Sequence, residues 1–221
     1  MMLKTIVWIP FVLFTVCSPG QSAKELRPDL EKLVVGKKLE VFNRNITPLR
    51  DSKNRNGLYM DARDNHGVAW LPGYELVKGV LEFDVKGRDV LQQSFVGIAF
   101  HGLNDSTMEA IYFRPFNFRA TDKGRRSHSV QYISLPDKDW EKLRTEHPNQ
   151  YEQSLKRPPS PNDWFHVRVV IDHSEVSVFV NEHPEPDLVV TRLGNRSNGR
   201  IGFWTGHRSD GAFANLKMII K

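Results

Sequence analysis

The chain has 221 residues, 26% charged and 39% hydrophobic. That balance suits one globular domain with a sizeable core and excludes a disordered or collagen-like chain. The formal charge of +5 comes from scattered basic residues, with one short cluster at Lys123, Arg125 and Arg126. Nucleic-acid binding needs a concentrated basic stripe, so no nucleic-acid partner is expected.

At the N-terminus Lys4 precedes an apolar run from Thr5 to Val16, and small residues follow at Ser18, Gly20, Ser22 and Ala23. This is the layout of a secretory signal peptide, so 1–23 is read as signal and 24–221 as one domain. The run is too short for a spanning helix, and the mature chain carries no other candidate membrane span. The expected location is secreted, periplasmic or cell-surface. Loss of Lys4 with the signal lowers the charge from +5 to +4. The single cysteine, Cys17, lies inside the signal and follows Val16, where a lipoprotein signal wants a small residue. A mature chain without cysteine has no disulfide, no thiolate nucleophile and no Cys-based zinc site. Its core alone must hold it, which fits a bacterial export product, expected to be a monomer. Three Asn-x-Ser/Thr triplets, at Asn45, Asn104 and Asn195, matter only in a eukaryotic secretory route.

Residues 24–36 carry Leu26, Leu30 and Leu33 and predict a short helix or turn before Gly36. Strand-like runs then recur at 38–43, 57–61, 67–71, 79–86, 94–101, 109–114, 128–134, 164–172, 175–181, 187–192, 199–204 and 211–220. Short strands with turn signals between them predict an all-β sandwich or barrel, and alternating strand–helix units are missing. One segment departs from the pattern. Residues 137–147 place Trp140, Leu143 and His147 at helical spacing, with Asp137 as cap and Pro148 as stop. With the proline-rich loop that follows, 137–161 forms an insertion that either borders a binding site or covers a sheet edge.

Successive strand side chains point to opposite faces. Val96, Ile98 and Phe100 share one face, as do Ile111 and Phe113, Val130 and Tyr132, and Ile201 and Phe203. These sets predict a packed core, joined by Val167, Val169 and Val178 of a hairpin that turns at Asp172-His173-Ser174. The opposite sets place Gly97, Ala99 and Gly202 beside His101, Tyr112, Arg114, Gln131 and Trp204. Small residues leave room for a sugar ring, and aromatic and planar polar groups grip its apolar face and hydroxyls. His128, and Trp140 of the insertion, are added as carbohydrate-binding residues. Ordinary packing of Trp204, a structural ion pair at Arg114 and a satisfied strand-end His101 are the competing readings.

Eight segments together resemble the concanavalin A-like lectin/glucanase superfamily: GVLEFDVKG (79–87), FVGIAFHG (95–102), AIYFRPFNF (110–118), VQYIS (130–134), DWFHVRVVID (163–172), VSVFVN (176–181), GRIGFWTG (199–206) and GAFANLKMI (211–219). The likeness is strongest to secreted bacterial domains related to the 3-keto-disaccharide hydrolase family, and it covers about 36–221. It implies a two-sheet antiparallel jelly-roll sandwich with a concave glycan-binding face. The chain departs from that pattern where chemistry would sit. Ser129 and Ser134 stand where the related hydrolases carry acids beside the central-strand Gln131. Glu82-Phe83-Asp84 is followed by Gly87 where a retaining glucanase needs a second Glu. Ala214 replaces the acid that binds calcium on the last strand, leaving Asp210 and backbone carbonyls as oxygen donors, so no cofactor is expected.

Three functions follow. A secreted carbohydrate-binding domain needs only the aromatic and polar face. A glycoside hydrolase or lyase acting on a (3-keto) disaccharide or polysaccharide needs an acid/base pair, for which the candidates are Glu109 and His101, then His128, Asp139 and Glu141. A non-catalytic structural or interaction domain of a polysaccharide-utilisation system needs neither. No histidine spacing defines a zinc site.

Overall fold

The computed structural model describes residues 23–51, 53 and 55–220; the signal segment up to residue 22 and Cys17 lie outside them. In chain order the elements are β1 (Lys24–Leu26), α1 (Leu30–Val35), β2 (Glu40–Phe42), β3 (Ile46–Pro48), β4 (Gly57–Met60), β5 (Gly67–Leu76), β6 (Gly79–Lys86), β7 (Val96–Asn104) and β8 (Thr107–Phe113). A short 3-10 turn, Pro115–Asn117, and α2 (Lys123–Arg126) precede β9 (Val130–Leu135), α3 (Trp140–Glu146) and β10 (Glu152–Gln153). The chain then runs through β11 (Phe165–Ile171), β12 (Glu175–Val180), β13 (Leu188–Thr191), β14 (Gly199–Thr205) and β15 (Gly211–Ile220).

The strands form two antiparallel sheets. One has the order β13-β12-β11-β6-β15-β4-β3, with β1 pairing the far end of β15; the other has the order β10-β9-β8-β7-β14-β5-β2. They pack face to face over aromatic contacts. Phe113 of β8 meets Phe165 of β11 at 5.2 Å, and Phe203 of β14 meets Phe83 and Phe213 at 6.0 and 4.7 Å between ring centroids. Val96, Ile98, Phe100, Ile111, Phe113, Val130, Tyr132, Val167, Val169, Val178, Ile201 and Phe203 are all buried, as the alternation predicts. On the outer face of the eight-stranded sheet, Glu82 pairs Lys217 and Asp84 pairs His166, so the acids of the 82–84 string are structural. No helix among the described residues is long and apolar enough to cross a membrane.

Four local expectations change. The 24–36 segment forms both a short strand and α1, which Asp29 caps by accepting from Lys32 N. The insertion helix starts at Trp140 with Asp139, not Asp137, as its cap, accepting from Lys142 N at 2.8 Å. Leu143 is its buried residue, while Trp140 points to solvent rather than sharing that burial. The basic cluster at 123–126 forms α2, in which Arg125 and Arg126 donate to the carbonyls of Phe116 and Ala120.

Candidate functional site

Strand pairing brings most of the expected face together. Glu152, Gln131, Tyr112, Gly97, Trp204, Val68 and Phe42 are in register across all seven strands of the second sheet. Paired residues in a sheet share a face. Ring contacts follow the same row. Phe42 lies 5.8 Å from His66, His66 stacks on Trp204 at 6.2 Å and 18°, and Trp204 lies 5.0 Å from Tyr112. Phe42, Val68 and His66 escaped the sequence reading because strand register is set by long-range pairing. Their only local signal is the shared parity of Val68 and Trp70.

The small residues of this face do not form an open floor. A Cβ on Gly97 would stand 2.8 Å from the Tyr112 Cβ, and one on Gly102 would strike the Trp70 ring at 2.3 Å. At Gly97 the space is taken by the backbone of Ile111 and Tyr112, and at Gly102 by the Trp70 ring. Trp70 donates from Nε1 to Asp105 Oδ1 at 2.7 Å, and Arg200 lies over its ring at 4.5 Å, held by Glu40 at 2.8 Å. Exposure is concentrated at Phe42, one end of the row, and at Trp140 on the inserted helix. Phe42 is 38% exposed and Trp140 46%, whereas Trp204 is 6% exposed.

Beneath the insertion lies a buried polar network. Arg114 donates to the Tyr112 hydroxyl at 2.7 Å, to the His128 carbonyl at 3.0 Å and to Gln131 Oε1, which also accepts from Tyr112. Arg144 of α3 grips Glu152 with two hydrogen bonds of 2.7 and 2.6 Å, and Arg114 Nη1 approaches the same carboxylate at 3.6 Å. His128 Nδ1 stands 2.9 Å from Glu152 Oε1 without hydrogen-bond alignment. Burial lowers the Arg114 and His128 pKa values and raises that of Tyr112. The insertion therefore acts as a cover tied down by Arg144, with Trp140 exposed on its outside and Arg144 beside its ring at 5.1 Å.

Glu109 and His101 do not belong to this face, which corrects the placement of His101 there. Glu109 has the parity of Ile111 and Phe113 and points between the sheets. His101 breaks the alternation of β7 at a positive φ of 48°, where the ladder to β8 is interrupted, and turns its ring to Glu109. Its Nδ1 lies 3.0 Å from Glu109 Oε1, and its Nε2 lies 3.0 Å from the Val77 carbonyl oxygen. Arg192 donates to both Glu109 oxygens at 2.7 and 3.1 Å, and the Tyr132 hydroxyl donates to Oε2 at 2.6 Å. Both Glu109 and His101 are fully buried. Burial would raise the Glu109 pKa, but the hydrogen bonds from His101, Arg192 and Tyr132 outweigh it and hold it at about 2. A general acid needs a raised pKa and contact with substrate. Glu109 has neither: its pKa is lowered and its carboxylate is fully buried.

The other acid/base candidates fare similarly. Asp139 is spent as a helix cap and Glu141 lies on the exposed side of α3. Asp210, the remaining donor for a calcium ion, accepts from the Tyr59 hydroxyl at 2.7 Å and has Arg88 Nη2 at 2.5 Å. Both its oxygens are engaged, one by a cation, so the donor set does not fit calcium.

These two sheets define an antiparallel β-sandwich, a fold shared with solved structures of low sequence identity. A carbohydrate binding module from Bacillus subtilis superposes with a TM-score of 0.57 at 11% identity, over 81% of this chain and 94% of that one. A Bacillus subtilis protein of unknown function with a galectin-like fold gives 0.56 at 13% identity, over 91% and 98%. The carbohydrate recognition domain of Emp46p, in its potassium-bound form, gives 0.54 at 12% identity, over 87% and 94%. Neither a protein-family model nor a curated protein sequence matches the chain.

Proposed function

We propose that the protein is an exported carbohydrate-binding domain that holds a glycan on the outer face of the seven-stranded sheet. The observation that carries this reading is the row of rings Phe42–His66–Trp204–Tyr112 across that face. Rings of this kind stack on the apolar faces of sugars. Phe42 and Trp140 are the exposed contact groups. Trp204, Tyr112, Arg114 and Gln131 fix the rows beneath them, and Trp204 Nε1 is a buried donor with no protein partner among the described residues. The carbohydrate-binding and carbohydrate-recognition domains of the same fold support a glycan ligand. The sealed, ion-paired state of Glu109 and Glu152 supports binding without turnover over the hydrolase and lyase readings.

A glycan-array screen, with calorimetry on the strongest ligand and product analysis on 3-keto and ordinary disaccharides, tests the reading. Binding without product is expected. Product formation would replace the binding reading by an enzymatic one, and an empty array would favour an interaction domain. N-terminal sequencing of native protein tests export, with a start near Ala23 or Lys24 expected and an intact Met1 as the contrary result.

A further inference from the structure

The outer face of the eight-stranded sheet holds a cavity of about 290 Å³ near the start of β15. Its floor follows from strand register. Tyr59 of β4, Ala212 of β15 and Lys86 of β6 are paired across three adjacent strands, so a methyl group lies between a phenol and an ammonium. With strands ~4.8 Å apart, Tyr59 and Lys86 stand about 10 Å apart at the backbone, a slot one sugar ring wide. Trp164, half-buried at the entry to β11, forms a wall, and Arg55 lies over its ring at 4.5 Å and fixes it.

The charges of this slot are unequal. Asp210 is neutralised by Arg88 and accepts a hydrogen bond from the Tyr59 hydroxyl. Burial, with help from Asp210, pushes the Tyr59 pKa up to about 12, so the phenol remains a donor to Asp210 at any ordinary pH. Arg50 is tied to Glu31 and Asp51 to Arg55. Lys86 has no acidic side chain within 4.0 Å among the described residues and is exposed. The slot thus offers an aromatic wall, a held carboxylate whose Oδ2, bound by the Tyr59 hydroxyl, keeps a second lone pair for a hydroxyl donor, and one uncompensated cation.

We propose that this cavity binds a single sugar-acid unit, a uronate, with its ring against Trp164, its hydroxyls at Asp210 and its carboxylate at Lys86. The site lies on the opposite sheet from the aromatic row and does not depend on it. A neutral hexose would satisfy the wall and Asp210 but leave Lys86 unpaired, so the acid is the preferred ligand.

NMR titration with methyl glucuronide and methyl glucoside tests this. The glucuronide should bind roughly tenfold more tightly than the glucoside, the scale of one close charge contact, and 0.5 M salt should narrow the gap. Lys86→Gln, an exposed change that leaves the core intact, should remove most of the preference. Trp164→Leu should weaken both ligands. Equal affinity for the two glycosides, no binding of either, or a glucuronide response unchanged in Lys86→Gln would overturn the proposal. Loss of the response in Phe42→Ala would do the same, by moving the ligand to the other sheet.

Discussion

Arg192 Nη2 lies 2.7 Å from Glu109 Oε1, so an ion pair ties the segment after β13 of one sheet to β8 of the other. The carboxylate is fully buried and the guanidinium side chain is 4% exposed. Two charges removed from water are stable together only because each has further partners, here His101, Tyr132 and the Arg196 carbonyl. Removing one leaves the other buried and unpaired. Arg192→Leu should therefore cost about 3–5 kcal/mol in urea denaturation, and Arg192→Leu with Glu109→Leu should cost less than the single change. A single-variant loss below about 0.5 kcal/mol, the range of ordinary surface substitutions, would mean that the pair is not formed.

The same carboxylate sets an acid limit. Its pKa is held at about 2 in the folded chain, below its unfolded value. A depressed folded pKa gives stabilisation that is fully present above the unfolded value and is lost as pH falls toward the folded one. The stability curve should be flat from pH 7 to about 5 in this contribution and fall by on the order of 3 kcal/mol between about pH 4.5 and 2. Glu109→Gln should remove that part of the slope, whatever it does to stability at neutral pH. An acid slope identical in the variant would show that another carboxylate carries it.

The two faces of each strand were legible because the side-chain period is two and a half-buried sheet needs alternation. Ile98 and Phe113 fell on the right side for that reason. His101 did not, because one residue at positive φ rotates a side chain to the other face and a bulge leaves no mark in an alternating pattern. Glu109 was readable in principle, since it sits two residues before Ile111. What lay beyond the sequence was its partner, Arg192, 83 positions away. The same holds for the insertion. Its helix was visible in the spacing of Trp140 and Leu143, but the Arg144–Glu152 clamp that closes it over Gln131 is a matter of tertiary contact. In the alternating pattern Gly97 and Gly202 look like space for a ligand, whereas the backbone of Ile111 and Tyr112 closes on Gly97, and Trp70 and Val68 pack against Gly202.

Ile98 and Phe113 bury their side chains completely between the sheets. Truncating either to Ala removes buried apolar surface and leaves a cavity that close-packed neighbours fill only in part, at a cost of about 2–5 kcal/mol. Chemical denaturation of both variants checks this. By contrast, Val189→Ala, on the exposed side of β13, should stay within about 0.5 kcal/mol of the parent.

The aromatic row gives the sharpest test of glycan binding, because its members differ in exposure. Phe42 is 38% exposed and lies on edge strand β2, so Phe42→Ala removes a contact ring with little effect on folding. It should weaken the glycan selected by array screening by roughly 1–2 kcal/mol, the scale of one stacked ring. Trp204 is 6% exposed and supports His66 and Tyr112, so Trp204→Ala should lower both affinity, by about 1–3 kcal/mol, and thermal stability. Arg114→Lys separates support from contact. An ammonium lacks the planar fork that reaches Tyr112, Gln131 and the His128 carbonyl at once, so stability should fall and affinity should follow only through the loosened face. Calorimetry and melting curves on the three variants read these effects apart. Unchanged affinity in both Phe42→Ala and Trp204→Ala would place the glycan elsewhere on the molecule and leave the row a packing feature of the sheet.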